Sequence, residues 1–189
     1  MKKVTLRLIL GDQLNASHSW FSKTDQDVVY LMAEMRQETD YVTHHIQKVV
    51  GYFSAMRNFA EALKRKGHQV TYLTLDHESF HRTLSFIIEE QLAVHKALFF
   101  EYLEPDEYRL DKQLKEICQR LLLTTKCYDT EHFYTSKNTL KDFFTGKKLY
   151  VMEPFYRMMR KKHRILMEAD KPLGDKWNFD QENRNKWKG

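Results

Sequence analysis

Short apolar runs alternate along the chain with longer amphipathic segments. The runs are nearly continuous, as in Val28-Val29-Tyr30-Leu31-Met32, which is typical of parallel strands that are covered on both faces. Each run is short enough for a strand and is followed by a segment with a different period. The five strands predicted in this way comprise residues 4–10, 27–33, 69–75, 97–102 and 125–129.

The amphipathic segments carry apolar residues three or four positions apart, which predicts helices. They comprise residues 43–66, 78–93, 106–122, 136–144 and 153–167. Gly67 is placed to end the first of these helices. The buried stripe predicted for that helix consists of Val49, Val50, Phe53, Met56, Phe59, Ala60 and Leu63.

Strands that alternate with helices require crossover connections, which are right-handed. The order of elements therefore predicts an α/β fold, namely a doubly wound, Rossmann-like sheet of five parallel strands in the order 3-2-1-4-5. In such sheets a ligand binds beyond the carboxyl ends of the strands, where the strand order reverses. The segments that follow the first two strands are thus the first place to look for a site.

Charge is distributed unevenly along the 189 residues, whose formal net charge is +5. Residues 147–189 carry 12 Lys and Arg against 6 Asp and Glu, so all the excess positive charge lies there. This basic arm also contains Trp177 and Phe179. Three interpretations of this arm remain open: it is a solvated basic helix, it docks on a second domain, or it binds single-stranded nucleic acid.

Several classes of protein are excluded by the sequence. It has no apolar run long enough for a transmembrane helix, and residues 4–10 are interrupted by Arg7, which favours a buried strand of a cytoplasmic protein over a signal peptide. Cys118 and Cys127 are too few for a disulfide framework or a four-thiolate metal site, and both are expected to be core thiols. Glycine-rich phosphate loops and the GxSxG and CxxC motifs are missing, and we predict no catalytic residue and no metal site.

Acidic and amide side chains follow the first two predicted strands. Asp12 and Gln13 come directly after the first strand, and Glu34, Glu38 and Tyr41 come after the second. Ionised carboxylates only accept hydrogen bonds, so this group suits a ligand rich in hydroxyl and ring N–H donors, or a divalent cation. Alternatively, Asp12 caps a turn and the two glutamates are solvated.

The same residues resemble a known family. The chain is similar to the deoxyribodipyrimidine photolyase-related proteins, which are the iron–sulfur bacterial cryptochromes and (6-4) photolyases, and the likeness extends nearly from end to end. The segments that carry it are Leu10-Gly11-Asp12-Gln13-Leu14, then Glu34, Glu38, Tyr41-Val42 and His44-His45, then residues 53–60, and finally residues 152–157, 176–180 and 182–184.

This resemblance implies that residues 1–150 form an antenna-chromophore domain. Residues 151–189 would then form a basic helix and the start of the connection to a C-terminal helical domain, which holds FAD and an iron–sulfur cluster in the family. The implied partners are that domain and, through the full-length protein, damaged DNA. The implied function is light harvesting in light-dependent DNA repair or blue-light signalling, and the chain alone should be inactive as a photolyase.

The antenna of the family is 6,7-dimethyl-8-ribityllumazine. The resemblance places it against Asp12 and Glu38, with Gln13, Glu34 and Tyr41 nearby. An alternative is a self-standing, flavodoxin-like module that binds a nucleotide or nucleic acid. If the basic arm docks on another domain, Trp177, Phe179 and the helix at 153–167 should be partly exposed, and this strip could support a dimer.

Overall fold

The computed structural model describes residues 3–77 and 82–180. The chain forms two compact units, residues 1–134 and 135–189. The boundary that we predict at residue 150 concerns the extent of the antenna domain and stays a prediction.

The first unit contains the predicted five-stranded parallel sheet. Its order is β3-β2-β1-β4-β5, with every neighbouring pair parallel, which confirms both the fold and the strand order. The strands are β1 (Thr5–Leu8), β2 (Val28–Ala33), β3 (Gln69–Leu73), β4 (Phe99–Leu103) and β5 (Thr124–Tyr128).

The helices of this unit cover both faces of the sheet. They are α1 (Gln37–Asp40), α2 (Ile46–Arg65), α3 (Leu84–Val94) and α4 (Tyr108–Arg120). One core packs α3 and α4 against side chains such as Leu6 and Leu31, and the other packs α2 against Tyr30 and Met32. Consecutive residues of β2 therefore serve opposite cores, which explains why its sequence is apolar throughout.

Helix α2 begins at Ile46, three residues later than predicted, because extended His45 caps it. The His45 Nδ1 atom accepts a hydrogen bond from the backbone N–H of Gln47 at 3.2 Å. At the other end Gly67 has φ +88°, the left-handed conformation that glycine adopts most easily. Val50 is 57% exposed, so the predicted stripe is wrong at that position, whereas Phe53 through Leu63 pack as expected.

Two further local predictions need correction. Cys118 is half-buried, but Cys127, which lies in the edge strand β5, is exposed and is not a core thiol. Helix α3 begins at Leu84, because the side chain of Thr83 caps it, so the helix predicted from residue 78 is wrong at residues 82–83. Residues 78–81 of that prediction lie outside the described residues.

The second unit contains α5 (Lys137–Phe144), α6 (Met152–His163) and a two-stranded antiparallel hairpin of β6 (Met167–Glu168) and β7 (Lys171–Pro172). Helix α6 ends four residues before the predicted end, because Arg164 takes a left-handed conformation with φ +52°. Trp177 is half-buried and Phe179 is 53% exposed, which confirms the partial exposure expected for this segment.

The basic helix is tied to its own unit through Arg160, whose side chain is buried. Its guanidinium donates hydrogen bonds to the backbone oxygens of Ile165 at 3.1 Å and of Leu166. At least one of the arginines that suggested a solvated helix is therefore structural. Throughout residues 3–77 and 82–180, each helix is too short or too polar to cross a lipid bilayer.

Candidate functional site

A cavity of about 380 Å³ lies at the carboxyl ends of the strands in the first unit. Its walls come from the segments that follow β1, β2 and β4 and from the first half of α2. Strand order reverses between β1 and β4, so the cavity occupies the position that a doubly wound sheet offers to a ligand. Its volume falls in the range of about 300–1,000 Å³ that is typical of small-molecule sites.

One wall of the cavity is acidic. Asp12, Glu38 and Glu107 line it, and the hydroxyl of Tyr52 donates a hydrogen bond to Glu38 Oε2 at 3.2 Å. Desolvation raises the pKa of Glu38 above its ordinary value, and the negative charges of Asp12 and Glu107 raise it further. Desolvation likewise raises the pKa of Asp12, with smaller contributions from Asp106 and Glu107. This wall therefore favours a ligand that donates hydrogen bonds to the carboxylates.

Aromatic and basic side chains also line the cavity, and one of them, Arg109, forms an ion pair with Glu107. The guanidinium carbon of Arg109 lies 4.9 Å from the ring centroid of Tyr41, and the ring of His44 meets Tyr41 edge-on at 4.9 Å. Lys48 Nζ donates a hydrogen bond to His44 Nδ1 at 3.1 Å. A flat heterocycle would thus find both aromatic surface and hydrogen-bond acceptors in the lining of the cavity.

Gly11 allows the wall of the cavity to form. A Cβ at this position would overlap the phenol of Tyr52 and would lie 2.7 Å from the sulfur of Met56. The missing side chain lets α2 approach the end of β1 closely, and this approach holds Tyr52 beside Glu38. Glycine is required at position 11 because no side chain fits there, and not because of its backbone conformation.

Gln13 does not line the cavity but shapes the loop that carries Asp12. It is buried, its Oε1 accepts a hydrogen bond from the backbone N–H of Leu10 at 3.0 Å, and its Nε2 donates to the backbone oxygen of Leu103 at 3.2 Å. These bonds join the end of β1 to the end of β4, so Gln13 acts by positioning its neighbour.

Glu34 does not line the cavity either. It is fully buried and accepts two hydrogen bonds from Arg57, one from the hydroxyl of Tyr72 at 2.7 Å and one from the backbone N–H of Leu75 at 2.7 Å. Desolvation opposes its ionisation, but these hydrogen bonds outweigh it and hold the pKa of Glu34 below its ordinary value. The alternative of a solvated glutamate is wrong for this residue.

The loop after β1 carries Trp20 and Phe21, which turn away from the site. They form a 3-10 turn and pack in the core on the α2 side of the sheet, where the guanidinium of Arg7 lies 4.7 Å from the ring of Trp20. The cavity is bordered by other segments. Within residues 3–77 and 82–180, no three His, Cys, Asp or Glu side chains are grouped so that they could hold a metal ion.

Comparison with known proteins shows the family of the chain. The family model described as deoxyribodipyrimidine photo-lyase-related protein matches residues 7–189. The chain belongs to this family. A (6-4) photolyase of Agrobacterium fabrum (strain C58 / ATCC 33970) is similar to this photolyase-related chain, with 35% identity over 183 residues. The match covers 95% of the chain but 36% of that protein, so the chain spans about a third of the length of this relative.

A second relative is an uncharacterised protein of Acanthamoeba polyphaga mimivirus. It is 24% identical over 148 residues, which is 76% of the photolyase-related chain and 73% of the viral protein. Its similarity adds no residue-level assignment to the site.

Of the five predicted site residues of the photolyase-related chain, three line the cavity, namely Asp12, Glu38 and Tyr41. Sequence reasoning missed Lys48, Tyr52 and Arg109, and it gave His44 no role in the site. Lys48 and Tyr52 are four residues apart on α2, so they share a side of that helix. That spacing, in the first half of the helix, was a signal available in the sequence.

Neutralising the acidic wall should stabilise the empty protein. Asp12→Asn and Glu38→Gln are each expected to raise the free energy of unfolding at pH 7, because the raised pKa values mean that folding disfavours the charged forms. The gain should be absent below the ordinary pKa values of 3.8 and 4.5 and should grow as the pH rises through the raised values. Urea unfolding at several pH values measures it.

Glu116→Gln provides the matched control for that experiment. Glu116 lies on the exposed side of α4, and its side chain is 3.9 Å from that of Lys112. Surface ion pairs of this kind contribute little to the free energy of unfolding. Its stability should follow that of the wild type at each pH. Loss of stability in both cavity variants at neutral pH would contradict the assignment of an electrostatically strained acidic wall.

Proposed function

We propose that the first unit binds 6,7-dimethyl-8-ribityllumazine as the light-harvesting antenna of a flavoprotein that serves light-dependent DNA repair or blue-light signalling. The observation that carries the proposal is that Asp12 and Glu38, which follow different strands, line one cavity of small-molecule size. Family membership supports a photolyase-like protein, and the antenna role goes beyond that support.

The donor set of the cavity fits this ligand. The lumazine offers a ring N–H and ribityl hydroxyls, and Asp12 and Glu38 offer acceptor oxygens. Tyr41 and Tyr52 provide aromatic surface, and their hydroxyls extend the hydrogen-bonding capacity. When bound, the lumazine absorbs light and passes the excitation energy to a flavin.

The remaining parts of the proposed system belong to the longer protein. We assign FAD, the iron–sulfur cluster and the lesion-binding surface to a C-terminal domain, since the (6-4) photolyase relative is nearly three times as long as the match. That domain and damaged DNA would be the partners, and the 189-residue chain alone is expected to repair no lesion. We also propose a cytoplasmic location for the protein.

Removing either carboxylate should weaken lumazine binding. Loss of one hydrogen bond to a charged group costs roughly 1.5–3 kcal/mol, which is about a ten- to hundredfold loss of affinity. Asp12→Ala and Glu38→Ala should each show this loss in a fluorescence titration with the lumazine. Asp12→Asn should lose less, because its amide oxygen can still accept one hydrogen bond.

Glu116→Ala, on the exposed side of α4, is the control and should bind the lumazine with the affinity of the wild type. Equal affinities for the wild type and both cavity variants would mean that the lumazine does not occupy this site. Because neutralising either acid is expected to stabilise the empty protein, reduced affinity together with raised stability would distinguish a lost ligand contact from misfolding.

The alternative of a nucleic-acid-binding module draws on the second unit. The charged groups of Arg157, Arg160 and Lys161 lie 5.3, 5.3 and 5.6 Å from the ring of Trp177. Cations around an aromatic ring suit stacking on single-stranded nucleic acid. Salt-sensitive binding of an oligonucleotide, lost in Trp177→Ala, without lumazine binding would favour this alternative.

A further inference from the structure

The outer wall of the cavity is a short segment, residues 36–44, which we call the lid. It contributes Glu38, Thr39, Tyr41 and His44 to the lining, and all four residues of α1 are at least partly exposed. Tyr41 is 51% exposed and Val42 is 52% exposed. The lid therefore gains little from burial of apolar surface.

Both ends of the lid are anchored. Met35, just before it, is 4% exposed in the core that also packs α3 and α4. His45, just after it, caps α2. An ion pair between Arg36 and Asp40 and a hydrogen bond from Thr39 Oγ1 to the backbone oxygen of Arg36 at 3.1 Å brace the segment internally. Motion of the lid as a unit about its two ends is thus compatible with an intact core.

Two contacts join the lid to α4. Gln37 Nε2 donates a hydrogen bond to Gln113 Oε1 at 2.7 Å, and the reverse bond spans 3.4 Å. One helical turn further along, the guanidinium of Arg109 lies over the ring of Tyr41 at 4.9 Å. Residues 37 and 41 are four apart, as are 109 and 113, so the two contacts form a paired clasp.

Beneath this clasp the lid and α4 are imperfectly packed. A second cavity of about 110 Å³ lies between them and is lined by Gln37, Glu38, Tyr41, Glu107, Arg109 and Leu110. Its presence means that opening would disrupt little close packing against α4. The polar contacts that opening would break are those of the clasp and the hydrogen bonds from α2 to the lid, namely Tyr52 to Glu38 and Lys48 to His44.

We propose that residues 36–44 are a lid whose clasp, Gln37–Gln113 and Tyr41–Arg109, controls how fast a ligand enters and leaves the cavity. The identity of that ligand rests on the proposed function, whereas the opening and closing of the lid does not. If the lid is closed in both the free and the bound protein, weakening the clasp raises the open fraction of both. The association and dissociation rates then rise together, and their ratio stays nearly constant.

The test uses the double variant Gln37→Ala/Gln113→Ala, since neither side chain lines the 380 Å³ cavity. Stopped-flow fluorescence with 6,7-dimethyl-8-ribityllumazine should show both rate constants raised by about two- to tenfold, as expected for loss of a hydrogen-bonded contact. The dissociation constant should change less than the rates. Unchanged rates, or a faster dissociation with unchanged association, would overturn the proposal.

The matched control is Gln26→Ala/Gln69→Ala. Gln69 Nε2 donates to Gln26 Oε1 at 3.1 Å, which is a comparable exposed pair at the start of β3, at the opposite edge of the sheet. Both rates should remain those of the wild type in this control. A similar acceleration there would show a general loosening of the fold and would contradict a lid-specific clasp.

Hydrogen exchange of the ligand-free protein separates this proposal from the proposed function. The backbone amides of residues 37–44 should exchange faster in the Gln37→Ala/Gln113→Ala variant than in the wild type, while those of α2 stay unchanged. If the lumazine fails to bind but the lid amides respond, only the ligand assignment fails. Unchanged exchange in the lid would overturn the lid proposal itself.

Discussion

Replacing Arg57 with alanine is expected to lower the free energy of unfolding by about 3 kcal/mol, the lower end of the range for stranding a buried charge. Glu34 is fully buried, and Arg57 makes two of the four hydrogen bonds that Glu34 accepts within residues 3–77 and 82–180. The variant would keep the carboxylate and lose its counter-charge. The hydrogen bonds from Tyr72 and Leu75 would remain, and they reduce the loss of unfolding free energy. Urea unfolding at pH 7 measures the change.

Two further variants show whether the stranded charge is the cause. Glu34→Gln added to Arg57→Ala should recover at least about 1 kcal/mol, because a neutral amide is cheaper to bury than an unpaired carboxylate. Lys64→Ala removes an ion pair to Glu61 in which both side chains are exposed, and it should cost less than about 1 kcal/mol. Equal losses in Arg57→Ala and Lys64→Ala would contradict the account of Glu34.

The effect of Arg57 also has a defined pH window. The folded-state pKa of Glu34 lies below its ordinary value of 4.5, so its ionised form adds stability above pH 4.5. That contribution is lost as the pH falls through the lowered pKa. The gap between the wild type and Arg57→Ala should therefore be full at neutral pH and should narrow below about pH 4.5.

Gly11→Ala is expected to damage both the fold and the cavity. The added methyl group would overlap the phenol of Tyr52, and overpacking of this kind costs about 1–3 kcal/mol. Relief would move Tyr52 away from Glu38 and into the space proposed for the lumazine. A disturbance of the same size in the binding free energy would lower lumazine affinity by about ten- to hundredfold.

Gly51→Ala is the matched control for this substitution. Gly51 lies within α2, and a Cβ added there would point into open space among the described residues. Alanine is the better helix former, so this variant should gain up to about 1 kcal/mol and keep its affinity. Wild-type stability and affinity in Gly11→Ala would show that the close approach of α2 to the end of β1 is not required.

The fold was predictable because the apolar pattern and the topology act together. The run Val28–Met32 supplies side chains to both cores, which is the signature of a central parallel strand. Gly67 ends α2 in a left-handed backbone conformation, which its residue type predicts because glycine adopts this conformation most easily. Helix α1 escaped prediction because it is four residues long and polar, so tertiary contacts decide its conformation.

The site was predictable only in part. Asp12 and Glu38 line one cavity because the ends of neighbouring parallel strands lie at the same edge of the sheet. Glu34 follows the same strand as Glu38, yet Arg57 on α2 and Tyr72 on β3 bind it in the interior. The pairing of Glu34 with Arg57 depends on how α2 and β3 pack against β2, and the spacing of residues in the sequence does not predict this packing.

The central claim is that the cavity at the ends of β1, β2 and β4 binds the ribityllumazine. Crystals of the protein grown with this compound test it most directly. We predict electron density for the lumazine in this cavity, with donor atoms within about 2.7–3.2 Å of the carboxylates of both Asp12 and Glu38. Density for the lumazine at another place, or an empty cavity at saturating lumazine, would contradict the account.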